Sequence, residues 1–338
     1  MNFNGKKILF ISPRFFNYEV AITDRLRELG ATVDFFDERP SNSFLTKGVI
    51  RVKPTLFKKK IQNYYKDIQS QIKNKDYDYF LLIKGESIPF SFLTEFKENH
   101  PETKRIFYTY DTVDEYPKFK ELMSYFDRNI SFEPADVKAY SFEFRPLFYL
   151  NLYRSENQQK EILYDLVFIG SVHSDRYLIG EKINMLCSDL KLRTFFYYFV
   201  PGKSVYYLKR LFDRNLKKFD IKKLSFEKLS HQRISEIYQS GLSVLDINKP
   251  FQFGLSMRTF ETLASEKKLI TTNPEIKKYP FYNPDNILVI NRNDISISHE
   301  FFKTEFKPLN QTDLYKISID SWLEDVFLKD KIDYWSIF

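Results

Sequence analysis

The run Ile8 to Ile11 is apolar at every residue. It lacks the in-and-out alternation of a strand with one wet face, so it must be buried on both faces, as in a parallel sheet covered by helices. The residues after it keep to that constraint. A helix ends at Arg25-Leu26-Arg27-Glu28-Leu29, and Gly30 suits the position just past it. Strands are predicted at Val33 to Phe36, Tyr79 to Ile83, Ile106 to Tyr108 and Asn129 to Phe132, with helices over Phe57 to Lys73 and Phe90 to Lys97. Strand and helix alternating at these lengths predict a doubly wound α/β domain.

The pattern breaks at Phe144-Arg145-Pro146-Leu147-Phe148-Tyr149 and the polar run Arg154 to Lys160, which read as a linker. A second α/β pattern then begins with a strand at Leu166 to Ile169 and a loop from Gly170 to Ser174. A helix over Tyr177 to Leu190 and a strand at Thr194 to Val200 come next, then a helix over His231 to Ser240 and strands at Leu242 to Ile247 and Ile287 to Ile290. The expected fold class is α/β, with two doubly wound Rossmann-like domains facing a cleft, residues 1–150 and 151–319. The stretch Asp313 to Phe338 is expected to be mostly helical, with Trp322, Leu323, Val326 and Phe327 as the packed side of a C-terminal helix, about 320–338, that returns to the first domain.

Composition excludes several classes. A chain of 338 residues with 43% hydrophobic and 18% aromatic content can fill two cores. One cysteine, Cys187, permits no disulfide framework, and His100, His173, His231 and His299 lack ligand spacing. The apolar stretch near the N-terminus is too short for a signal peptide, and no run approaches the ~20 residues that span a bilayer, so a cytoplasmic protein is expected. A net charge of +7 calls for an anionic partner. Lys58-Lys59-Lys60 beside Phe57, Tyr64 and Tyr65, and the basic residues from Lys209 to Lys223, fit a solvated helix face or contact with an anionic membrane. Nucleic acid is disfavoured as a partner, because no recognised module accompanies the charge.

Within Gln252 to Asn273 the sequence passes from a glycine-containing loop (Gly254) through Ser256 into a short helix and then an apolar run. A helix N-terminus has free N–H groups and partial positive charge, so one entered beside Arg258 and Thr259 is suited to a phosphate. Glu261, one turn on, can accept hydrogen bonds from a ribose. The plainer reading is a surface Arg258/Glu261 pair, worth only ~0.3 to 0.5 kcal/mol.

Arg258, Phe260-Glu261, Leu263-Ala264-Ser265 and Leu269-Ile270-Thr271-Thr272 resemble the nucleotide-sugar-binding segment of GT-B glycosyltransferases, most of all their CgeB-like branch among capsule and exopolysaccharide enzymes. Phe168-Ile169-Gly170-Ser171 with Arg176 is similar to a second run of that branch. The resemblance implies donor-binding roles for Gly170, Ser171, Arg176, Gly254, Ser256, Arg258, Thr259 and Glu261. It also implies transfer of a sugar from a nucleotide diphosphate donor to a surface polysaccharide or lipid-linked glycan, with no metal and no further cofactor. Phe253 stands where many such enzymes carry a second glutamate, which suggests that Arg258 carries more of the phosphate contact.

The family has an aspartate after the fourth strand of its first domain, so Asp111 is the leading catalytic base, with Glu86 its rival; the plainer role for Asp111 or Thr112 is to cap the next helix. His173 is either a third candidate or an ordinary loop histidine. Asp76-Tyr77-Asp78 has the DxD form of metal-dependent sugar transferases but precedes its strand, which puts it at the wrong end. No GxGxxG follows the first strand and no G-x-S-x-G elbow occurs, which disfavours a dehydrogenase or a serine hydrolase. A non-catalytic nucleotide-sugar or polyanion-binding protein is the alternative.

Overall fold

The computed structural model describes residues 1–40, 54–155, 161–172, 174–212 and 216–335. These form two compact units, the first made of Met1–Pro146 with the described residues from Asp320 on, the second of Leu147–Ile319.

In the first unit β1 (Lys7–Ser12), β2 (Thr32–Asp37), β3 (Tyr79–Ile83), β4 (Lys104–Thr109), β5 (Arg128–Ser131) and β6 (Glu143–Phe144) make one parallel sheet, ordered β2-β1-β3-β4-β5-β6. The crossovers include α1 (Tyr18–Glu28), α2 (Pro54–Ile72), α3 (Phe90–Asn99), α4 (Phe119–Leu122) and α5 (Pro134–Tyr140). Leu9, Ile11, Phe80, Leu82 and Phe107 of the strands share one core with Ile68 and Ile72 of α2 and Phe92 and Phe96 of α3. Gly30 closes α1 at φ +96°, where a Cβ would stand 2.6 Å from Asn4 Oδ1. The strand order reverses between β1 and β3, so the loops after these strands diverge and leave a crevice at their carboxyl ends.

In the second unit β7 (Tyr164–Ser171), β8 (Thr194–Phe199), β9 (Leu224–Ser225), β10 (Gly241–Asp246), β11 (Lys268–Thr271) and β12 (Ile287–Val289) form another parallel sheet, ordered β12-β11-β10-β7-β8-β9. Counted within the unit this is the 3-2-1-4-5-6 order of dinucleotide-binding folds, and its reversal lies between β7 and β10. The helices are α6 (Arg176–Asp189), α7 (Lys203–Phe212), α8 (His231–Gln239), α9 (Met257–Ala264), α10 (Glu300–Lys303) and α11 (Gln311–Lys316).

β7 runs two residues past the predicted Ile169, because Gly170 and Ser171 still pair with Tyr198 and Phe199 of β8. The C-terminal stretch also differs from expectation, being only partly helical. After α11 come α12 (Ile319–Leu323) and one π turn, Glu324–Leu328, and the backbone is extended at Lys329. Arg128 Nη1 donates to the carbonyls of Asp325, Val326 and Lys329 at 3.0, 2.8 and 2.8 Å, which satisfies the end of the helix where it stops. Trp322, Leu323, Val326 and Phe327 are buried. The Trp322 ring meets that of Tyr108 edge-on at 5.0 Å, and Phe327 meets Phe3 and Tyr79. Asp325 forms a buried ion pair with Arg145 at 2.8 Å. No helix of the described residues is long and apolar enough to cross a membrane.

Candidate functional site

β10 ends on Asp246, a buried carboxylate that the sequence reading missed although it closes a predicted strand. Asp246 Oδ1 accepts from Arg258 Nη1 at 2.6 Å, and Oδ2 accepts from the Ser256 and Thr259 hydroxyls at 2.7 and 3.0 Å. The second Arg258 nitrogen, Nη2, donates to the Ile169 carbonyl at 2.6 Å, tying α9 to both β10 and β7. The plainer alternative of a surface Arg258/Glu261 pair does not hold: Arg258 is largely buried and pairs with Asp246. The Ser256 and Thr259 hydroxyls both point at that carboxylate. Ser256 is the N-cap of α9 yet makes no side-chain cap, so no side-chain oxygen of its own covers the first N–H groups of the helix.

Two further arginines meet Arg258 at the reversal point. Arg176, the first residue of α6, donates from Nε to the Ile247 carbonyl at 2.6 Å. Arg292, absent from the sequence reading, holds Asp175 with Nη1 at 2.6 and 2.7 Å and the Asn248 carbonyl with Nη2 at 2.6 Å. Burial, with Arg258 and Arg292 close by, pushes the Arg176 pKa down to about 9. Burial pulls Arg258 the same way, but Asp246 outweighs it and the net direction is up. Mutually repelling guanidiniums of this kind gain from an incoming anion. Gly170 lies at the same place, where a Cβ would stand 2.7 Å from the Phe168 ring and 3.3 Å from Arg258 Nη2.

Glu261 is only 4% exposed. Its carboxylate is 4.0 Å from His231 Nδ1, which shares a 2.9 Å hydrogen bond with the Tyr153 hydroxyl. Burial, reinforced by Glu261, keeps the Tyr153 pKa high. Hydrogen bonds pin the preceding loop by its carbonyls: Asn248 Nδ2 donates to Gln252, Asn273 Nδ2 to Phe253, and Gln252 Nε2 to Gly254. Phe251 and Phe253 stay exposed on that loop, Phe251 at φ +64°. Ser171 is half-buried at the end of β7, and His173 lies outside the described residues.

The first unit gathers a separate charged cluster after β2, β3 and β4. Asp111 Oδ2 pairs with Lys84 Nζ at 2.8 Å, and Glu86 Oε2 pairs with Arg39 at 2.7 Å and lies 3.7 Å from Lys84. Lys84 sits over the Tyr116 ring at 4.1 Å, and Lys118 donates to the Glu86 and Ile88 carbonyls at 3.1 and 2.5 Å. Lys84 and Gly85 both have positive φ, +72° and +74°, a strained turn of the kind that gathers at functional sites. The next helix, α4, has Lys118 at its N-cap and no side-chain cap bond, so the capping role does not hold, and the Thr112 hydroxyl accepts from Glu115 N at 3.2 Å in the turn before it. The DxD acid Asp78 is committed to Lys6 at 2.7 Å, ahead of β3. Among the described residues no cluster of His, Cys, Asp or Glu could hold a metal ion.

Beneath this cluster Glu38 is 0% exposed and accepts from Glu86 N at 3.1 Å. Burial pushes its pKa up to about 7, with Arg39 and Lys84 pulling down and Glu86 pushing up. A raised acid binds its proton more tightly in the folded state. Its stabilising effect is therefore complete below the unfolded value near 4.5 and fades as pH rises to about 7, a loss on the order of 3 kcal/mol. Glu38→Gln is expected to remove most of that loss, read from urea midpoints at about pH 5 and about pH 8. Equal losses in both proteins would place the pH dependence elsewhere.

No protein-family model matches the chain, and no curated protein matches it significantly. Solved structures do. The catalytic domain of starch synthase IV from Arabidopsis thaliana, bound to ADP and acarbose, is 9% identical with a TM-score of 0.51, over 98% of this chain and 96% of that one. A glycosyltransferase from Rickettsia africae is 13% identical with a TM-score of 0.50, over 86% and 85%, and an apo OtsA is 9% identical with a TM-score of 0.50, over 86% and 89%. Similarity at this identity establishes the fold, which is that of GT-B glycosyltransferases.

Proposed function

We propose that the protein is a metal-independent glycosyltransferase of the CgeB-like branch, acting in the cytoplasm at the inner face of the membrane. It moves a sugar from a nucleotide diphosphate donor to a surface polysaccharide or lipid-linked glycan. One observation carries the reading: Arg176, Arg258 and Arg292 converge beside the N-terminus of α9, at the strand reversal where α/β sheets bind ligands. Guanidiniums and helix N–H groups meet the charge that develops on a departing diphosphate, which is usually the largest catalytic term. Gly170 lets the backbone approach the ligand, and Ser171 at the end of β7 and the loop with Gly254 line the same end of the sheet. Glu261 accepts from the ribose. Asp111, held by Lys84, takes the proton of the acceptor hydroxyl, and Lys58, Lys59 and Lys60, all exposed, contribute membrane contact.

A thermal-shift screen against UDP-, GDP-, CMP- and dTDP-sugars tests the reading. One nucleotide class should stabilise the protein by about 2.7 kcal/mol at a hundredfold excess over Kd. No shift with any of them would overturn it.

A further inference from the structure

In the second unit α7 presents three large apolar residues to solvent. Val205 and Tyr206 face the core, Tyr206 donating to the Phe219 carbonyl. On the opposite side Tyr207, Leu208 and Leu211 are 55%, 44% and 71% exposed. Their spacing of i, i+1 and i+4 gathers them on one stripe. A helix that buries one face in its own domain normally shows solvent a polar back. Exposed Lys203 and Arg210 border the stripe, and Lys217, Lys218 and Lys222 are exposed just beyond it. Between Lys203 and Lys223 the sequence has eight basic residues and two acidic ones.

We infer that α7 docks on an anionic lipid surface, with Tyr207, Leu208 and Leu211 entering the headgroup boundary and the lysines and Arg210 meeting lipid phosphates. Apolar contact and cationic rim together are the makeup of an in-plane interfacial helix, and tyrosine is favoured at that depth. The charge selects this occupant. A second copy would set Lys203, Arg210, Lys217, Lys218 and Lys222 against residues of the same charge, and a nucleic acid would leave the leucines without an apolar partner. The inference extends the proposed function by locating an apolar membrane contact that Lys58, Lys59 and Lys60 do not supply.

The test is co-sedimentation of the full chain with phosphatidylcholine vesicles, alone or mixed with phosphatidylglycerol. The protein should prefer the anionic vesicles by more than about tenfold, and a triple change of Lys217, Lys218 and Lys222 to Gln should lower that binding by about a hundredfold. The double variant Leu208→Glu, Leu211→Glu should lower it at least about tenfold. A Tyr207→Trp variant should show a blue-shifted emission on anionic vesicles, which reports burial beyond surface adsorption. Normal binding by the leucine variant, equal binding to neutral vesicles, or loss only when Lys58, Lys59 and Lys60 become Gln would overturn the inference. So would a dimer in solution that the leucine changes abolish. Nucleoside diphosphate binding, measured on the same variants, should be unchanged, so failure of the helix to dock is distinguishable from failure of the donor site.

Discussion

Arg258→Ala should weaken nucleoside diphosphate binding by about ten- to a hundredfold and cost the fold about 3 to 5 kcal/mol. The first figure follows from one charge-assisted contact to the diphosphate, worth roughly 1.5 to 3 kcal/mol. The second follows from Asp246, which is buried and would lose the guanidinium on Oδ1. Ser256 and Thr259 would still donate to Oδ2, but neutral hydroxyls do not balance a buried charge. The stability loss should largely disappear in the double variant Arg258→Ala, Asp246→Asn, while the binding loss should remain. That pair of results separates the ligand contact from the structural one. Glu261→Ala should weaken nucleoside diphosphates and leave pyrophosphate binding nearly unchanged. Calorimetric titration of the folded variants measures each effect, and unchanged affinity in both Arg258 variants would remove the donor site from α9.

Asp111→Asn should lower kcat by about a hundred- to ten-thousandfold, the usual contribution of a positioned base. Donor affinity should hardly change, because the arginine cluster belongs to the other unit. The carboxylate is replaced by a group of similar shape, and Lys84, which loses its 2.8 Å partner, still has Glu86 at 3.7 Å. Turnover assays with any donor found by thermal shift give the readout. A near-normal kcat would pass the role of base to Glu86, and a failure to fold would show that Asp111 chiefly secures Lys84.

The strands that dominate both sheets could be read from the sequence because parallel strands buried on two faces are continuous apolar runs. β6 and β9 could not, since two residues each, Glu143–Phe144 and Leu224–Ser225, leave no pattern. Arg258 stood out by its place at a helix start, but its partner did not. Asp246 lies twelve residues upstream at a strand end, and only the β10-to-α9 turn brings the two together. Arg292 and Glu38 were hidden for the same reason: their partners Asp175 and Glu86 are remote in sequence. The opposite charges of Arg258 and Glu261 left a surface pair open as the plainer alternative. The helix is instead enclosed on nearly every side, with Thr259, Glu261 and Thr262 all buried and Arg258 paired with the buried Asp246.

The first unit is built from chain on both sides of the second. Arg145 is fully buried and its carboxylate partner, Asp325, arrives only after the whole second sheet has been synthesised. A growing chain therefore has Leu147–Ile319 complete while Arg145 still needs water and the edge of Tyr108 still lacks Trp322. Domains usually mature in the order in which they are made. Here the unit whose translation begins first is the last to have all of its residues, Asp325 among them.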